Sequence, residues 1–143
     1  MARSYAAEAR RRVGPRRERI RAIIERLEAE HPDAVIALSF RTELELLVSV
    51  ILSAQTTDVT VNRVTQSLFD KYRRPEDYLA VSLEELEQDI RPTGTYRQKA
   101  KSLRGTMRLL IEEYDGLVPL ELDELQRLPG VGRKVANVVA AER

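Results

Sequence analysis

The sequence predicts an all-α fold, and three observations predict it. Apolar residues recur at three- and four-residue spacing in one window after another. Capping residues and Pro/Gly breakers separate those windows at short intervals. No run alternates apolar and polar with the period of two that a half-buried strand requires. The 143 residues suit one domain of ordinary size and bury a real core.

Taken in order, residues 1–14 read as a disordered basic arm. Residues 1–21 hold eight arginines (Arg3, Arg10, Arg11, Arg12, Arg16, Arg17, Arg19 and Arg21) against two glutamates. Blocks of like charge commonly stay disordered, although they also attract phosphate. Pro15 suits a first helical turn. Ile20, Ile23, Ile24 and Leu27 then share a face, so a helix is predicted over 15–30, ended by His31-Pro32-Asp33.

Thr42 and Glu45 fit a capping box ahead of the apolar run LELLVSVILSA. Length and capping argue for a buried helix there, while its β-branched residues leave a strand open. Gln55-Thr56-Thr57 breaks the run. Asp58 is the expected cap of the next helix, whose Val61, Val64, Leu68, Phe69 and Tyr72 fall on one face. A short helix is expected near 76–80. Ser82 and Glu85 form a second capping box before Leu83, Leu86 and Ile90. Arg91-Pro92-Thr93-Gly94 is turn chemistry.

The helix after that turn carries two rows. Ala100, Leu103, Met107, Leu110, Ile111 and Tyr114 make the apolar one; Arg97, Lys101, Arg104 and Arg108 make a basic one, read either as a phosphate-facing surface or as a solvated face. Asp115-Gly116 stops the helix. A short helix near 121–127, the turn Leu128-Pro129-Gly130-Val131-Gly132 and a last helix complete the chain. No boundary between domains is legible between 15 and 143.

Composition narrows the function. Charged residues make up 33% and no apolar run is long enough for a bilayer span, so a soluble, cytoplasmic protein is expected, with no membrane partner. The chain contains no cysteine, which removes disulfides, thiolate-held zinc, iron–sulfur clusters and thiol catalysis. The single His31 makes no metal site, and no cofactor is expected. The net charge of +1 conceals a polarised distribution: Arg91 to Arg108 holds six basic residues and no carboxylate.

The final turn carries the sharpest chemical signal. Pro129 fixes one backbone angle, and Gly130 and Gly132 permit positive φ and leave the backbone uncovered. Such a turn aims N–H groups outward at a helix N-terminus, which suits a phosphate. It is equally an ordinary inter-helix turn, until Arg133-Lys134 at the helix start shifts the reading towards an anion site. A surface lysine is usually just solvated. Beside Arg133 at a helix N-terminus, the Lys134 amine is a candidate nucleophile able to attack C1′ of a deoxyribose.

LPGVGRKVANVV, residues 128–139, resembles the helix–hairpin–helix signature of the endonuclease III family of bifunctional DNA glycosylases and abasic-site lyases. Leu52-Ser53-Ala54-Gln55-Thr56-Thr57-Asp58-Val59-Thr60-Val61-Asn62 is similar to that family's LSAQ-x-TDV-x-VN segment. Thr93-Gly94-Thr95-Tyr96-Arg97-Gln98-Lys99-Ala100 is similar to its G-x-Y-x-x-KA segment. The resemblance runs from about residue 20 to the end. It implies a barrel of six helices within 42–143, with the helix–hairpin–helix at 122–141, and a bacterial-type, nucleoid-associated role in base-excision repair.

The partner so implied is double-stranded DNA with damaged pyrimidines or abasic sites. Lys134 matches the lysine that attacks C1′, after which the base leaves and β-elimination cuts the strand. Gln55 matches a residue that fills the gap left by a flipped base; read alone, it is a polar residue closing a helix. Thr95 stands where the family carries a bulkier apolar wedge, so weaker intercalation is expected. Gly130, Gly132 and Arg133 would hold phosphate. Relatives specific for adenine lack a lysine at this position, so Lys134 favours the bifunctional branch.

Two family features have no counterpart here. A catalytic aspartate and four cysteines of a [4Fe–4S] cluster lie, in the family, beyond the lysine helix. The chain therefore reads as C-terminally truncated, without the cluster domain, weak or inactive alone, and with Ile20, Ile23, Ile24 and Leu27 open to self-association. The alternatives are a non-catalytic helix–hairpin–helix DNA-binding module and a protein-interaction domain.

Overall fold

A computed structural model describes residues 14–142. The basic arm expected over 1–14 lies, apart from Gly14, outside the described residues. Among them there are eight α-helices, one 3-10 turn and no strand. The chain divides into two compact units, one ending at Ile36 and the other beginning at Ala37, a division the sequence did not suggest.

The first unit holds α1, Arg16–Glu30, preceded by Pro15 as its N-cap rather than as its first helical residue. The backbone N–H of His31 donates to the Leu27 carbonyl at 2.8 Å, closing the helix where the sequence placed its end. Ile20, Ile23, Ile24 and Leu27 are each about half exposed.

The second unit contains α2 Glu43–Leu52, α3 Asp58–Lys71, α4 Pro75–Ala80, α5 Leu83–Ile90, a 3-10 turn Arg91–Thr93, α6 Tyr96–Glu113, α7 Leu122–Arg127 and α8 Arg133–Ala141. The apolar run at 46–52 is helical, which settles the strand alternative: every residue from Glu45 to Leu52 is buried. An all-round apolar helix satisfies its own backbone groups and so can occupy the centre. Each buried Leu or Ile in it contributes roughly 1.5–3 kcal/mol. Helices α3, α6 and α8 pack around it.

Caps start the helices largely as expected. The Thr42 and Ser82 hydroxyls accept from the backbone N–H groups of Glu45 and Glu85. Neither glutamate returns a bond to its cap: Glu45 accepts from Arg41, backbone and guanidinium, and Glu85 accepts from Lys71. The cap of α3 is Thr57, whose hydroxyl accepts from Thr60 N–H, and Asp58 is the first helical residue. A threonine one position earlier offers its oxygen at the angle the N-cap needs, and the aspartate then lies in the first turn, where its charge suits the helix dipole.

Val61, Val64, Leu68, Phe69 and Tyr72 are buried, and Tyr72 stacks on Tyr78 of α4 with centroids 4.7 Å apart. On α6, Ala100, Leu103, Met107 and Leu110 are buried, while Ile111 and Tyr114 are only partly so. Left-handed Asp115 and Gly116 end α6, with Gly116 N–H reaching the Leu110 carbonyl at 2.8 Å. Among the described residues no helix is long and apolar enough to cross a membrane.

Candidate nucleic-acid interface

The bend between α7 and α8 is held from below. Leu128 and Val131 are buried, and Pro129, Gly130 and Gly132 lie on the surface. Val131 N–H donates to the Leu128 carbonyl, tightening the turn. Thr106 Oγ1 of α6 donates to the Pro129 carbonyl at 2.8 Å. Gly130 has φ +77°, and an added Cβ would stand 2.8 Å from Ser102 Cβ and 3.7 Å from Ile51 Cγ2. Only glycine satisfies both demands.

Gly132 behaves differently. Its φ is −81° and its ψ 179°, and it serves as the N-cap of α8. Of the two glycines that permit positive φ, only Gly130 uses it. An added Cβ would meet nothing within 4 Å, so Gly132 leaves open space over the helix N-terminus. Arg133 and Lys134 follow in the first turn, both exposed. Open backbone N–H groups, the positive helix end and two cations form one anion-attracting surface.

Two further loops carry residues named from the sequence. Gln55 is exposed and adopts φ 56°; Thr95 is exposed and adopts φ 39° as the N-cap of α6. Non-glycine residues rarely hold this region. The Thr56 hydroxyl donates to the Thr93 carbonyl and so joins the two loops. Beside Thr95, two guanidinium groups approach the Tyr96 ring, Arg91 at 5.8 Å and Arg97 at 5.7 Å from its centroid.

Lys99 was missed as a site residue from sequence. It is 5% exposed, and its Nζ donates to the Leu52 carbonyl at 2.7 Å, the Thr93 carbonyl at 2.6 Å and Thr56 Oγ1 at 3.1 Å. Burial holds its pKa below the ordinary lysine value. One signal was available: Lys99 is off the basic row and shares a face with Ser102 and Thr106, at i, i+3 and i+7. This face of α6 grips both loops and the bend.

The basic row lies elsewhere. At about 100° per residue, Arg97, Lys101, Arg104 and Arg108 lie roughly opposite Lys99 and Thr106 on the helix. Arg104 Nη1 donates to the Val81 carbonyl at 2.5 Å, joining α6 to the segment between α4 and α5. Arg104 is thus tied into the fold, and of this row Arg97 lies nearest in sequence to the Thr95 loop.

A profile of the HhH-GPD superfamily of base excision DNA repair proteins matches residues 48–141. The chain belongs to this superfamily. Similar HhH-GPD relatives include endonuclease III of Bacillus subtilis, 57% identical over 110 residues, covering 77% of this chain and 50% of the relative. Endonuclease III of Synechocystis is 42% identical over 131 residues, covering 92% and 60%. Among solved structures, a trapped endonuclease III–DNA covalent intermediate superposes with a TM-score of 0.82 at 51% identity, covering 89% of this chain and 60% of that one. A thermostable thymine-DNA glycosylase superposes with a TM-score of 0.76 at 26% identity, covering 85% and 57%.

The resemblance to endonuclease III read from three motifs therefore holds, and so does the all-helical HhH-GPD fold. The chain spans 50–60% of the length of the relatives quoted. The [4Fe–4S] cluster implied by the family does not fit these residues. Its thiolate donors are absent from the sequence, and among the described residues no group of three or more His, Cys, Asp or Glu is placed to hold a metal.

Proposed function

We propose that this chain engages damaged duplex DNA as an endonuclease III-type glycosylase and abasic-site lyase, with Lys134 as the nucleophile. The observation that carries the reading is the exposed bend at Gly130–Gly132. It is seated on α6 by Ser102 and Thr106 and opens onto the N-terminus of α8 beside Arg133 and Lys134. A phosphate bound there would fix the neighbouring sugar, and positioning of this kind is worth several orders of magnitude in rate. The covalent DNA complex of an endonuclease III relative supports the same reading.

In the proposed step the Lys134 amine attacks C1′. The C1′–N bond to the base breaks, its electron pair leaves with the base, and the base nitrogen gains a proton. The ammonium formed at C1′ loses a proton, its nitrogen lone pair opens the C1′–O4′ bond while O4′ takes a proton, and the iminium so formed loses a C2′ proton and expels the 3′ phosphate. Damaged pyrimidines are the proposed bases. Gln55 and Thr95 enter the gap left by base flipping, whose cost is a few kcal/mol. Thr95 fills less of that gap than a larger apolar residue would. Arg97, flanking the Thr95 loop, and Arg133 are proposed phosphate contacts.

The test is borohydride trapping on an abasic duplex. A slow covalent adduct that disappears in Lys134→Ala, with duplex binding retained, is the expected result. Binding without any adduct would leave a DNA-binding module and overturn the role of Lys134. An adduct that survives Lys134→Ala would place the nucleophile elsewhere.

A further inference from the structure

Lys99 has no role in the reaction just described, yet among the described residues it is the one lysine or arginine that is buried. An ammonium has three N–H donors, and three oxygens surround this one. Leu52 ends α2, Thr56 lies in the loop that follows it, and Thr93 ends the 3-10 turn just before the Thr95 loop, so the three come from two segments far apart in sequence. Leu52 and Thr56 bracket Gln55; Thr93 stands two residues before Thr95. The Thr56 hydroxyl adds its own bond to the Thr93 carbonyl, and Thr93 Oγ1 donates in turn to the Ile90 carbonyl at 2.7 Å. Lys99 itself is carried on α6, whose Ser102 and Thr106 hold the bend that precedes Lys134.

No carboxylate takes part in this cluster. A buried cation held only by carbonyls and a hydroxyl is a costly way to fill space, and a methionine of similar length would fill it without desolvation. What methionine would not do is fix two loops to one point. Both loops need fixing, because Gln55 at φ 56° and Thr95 at φ 39° occupy backbone conformations that persist only where the surroundings impose them.

We propose that Lys99 is a positioning residue that sets the spacing of the Gln55 and Thr95 loops, so that both side chains enter one gap in a duplex that lacks a base. The proposal rests on the assignment of Gln55 and Thr95 as gap-filling residues. It predicts a division of labour on α6: Lys99 sets recognition of the gap, while the Ser102–Thr106 seat sets grip on the phosphate.

The test uses Lys99→Met, with Thr56→Val as a milder second variant, and two measurements. Hydrogen exchange on the free protein is expected to speed about tenfold in segments 53–57 and 93–95, with α2 and α6 unchanged, on the scale of one lost charged anchor. Affinity is measured for an abasic duplex and for an intact duplex of the same sequence. The preference for the abasic duplex should fall about tenfold, with intact-duplex binding and its salt dependence unchanged; Thr56→Val should move the same way by less. A purely structural lysine would weaken both duplexes alike, which would overturn the proposal. A wild-type preference that Lys99→Met leaves intact would overturn the proposal alone. No preference in the wild-type chain would overturn the gap-filling assignment and the proposal with it.

Discussion

Gly130 passes Ser102 so closely that a β-carbon on the glycine would stand 2.8 Å from the serine's own. Gly132, two residues on, has open space where its own β-carbon would stand. These neighbours, alike in sequence, therefore do different work. Gly130→Ala is expected to destabilise the fold by about 1–3 kcal/mol, from left-handed backbone and overpacking together. Gly132→Ala should change stability by less than about 0.5 kcal/mol, yet weaken duplex binding, because its methyl would cover the helix N-terminus. Urea unfolding and a fluorescence binding titration separate the two effects.

Thr95 holds a left-handed conformation that a β-branched residue tolerates poorly. Thr95→Asn should raise stability by up to about 1 kcal/mol, since asparagine accepts this backbone more readily. Denaturant midpoints check this; a fall in stability would mean that the Thr95 side chain makes a contact that outweighs the strain.

The cations on α6 and α8 should divide by salt dependence. Arg97→Ala and Arg133→Ala are each expected to reduce the slope of log affinity against log salt by about 1, as for one lost phosphate contact. Arg104→Ala should leave the slope unchanged and instead cost stability, about 0.5–3 kcal/mol, for the bond to the Val81 carbonyl. A slope change for Arg104→Ala equal to that for Arg97→Ala would make Arg104 a phosphate contact as well.

Asp77 accepts from the backbone N–H groups of Arg73 at 2.8 Å and Arg74 at 2.9 Å. The Arg74 bond first, then the Arg73 bond, hold its carboxyl below the usual 3.8. A carboxyl depressed in the folded state stabilises above its unfolded value and loses that contribution as pH falls through the folded one. Stability should therefore drop as pH descends below about 4, and Asp77→Asn should flatten that part of the curve. Thermal unfolding across pH 2–6 measures it; identical acid limbs in both proteins would count against a stabilising role for these two bonds.

Much of this molecule was legible from local signals. The periodic apolar faces of α3 and α6, the hydroxyl caps Thr42 and Ser82, the stop at Asp115-Gly116 and the bend at residues 128–132 all act within a few residues of the chain. A cap or a glycine responds to its immediate backbone, so type and spacing suffice to find it. Small offsets survived, such as Thr57 taking the cap expected of Asp58, because either oxygen satisfies the same donors.

By itself, then, the sequence determined an all-helical chain, its caps and turns, and a glycine bend leading into Arg133-Lys134. Only the tertiary structure decided which charges serve which purpose. Lys99 and Arg104 look alike as members of one basic segment, yet Lys99 bonds across 47 residues to Leu52 and Arg104 across 23 to Val81. A cation's role depends on which carbonyls face it after folding, and those carbonyls lie on segments whose approach no local pattern encodes. The same holds for Gly130 and Gly132, which diverge because α6 lies against one and not the other.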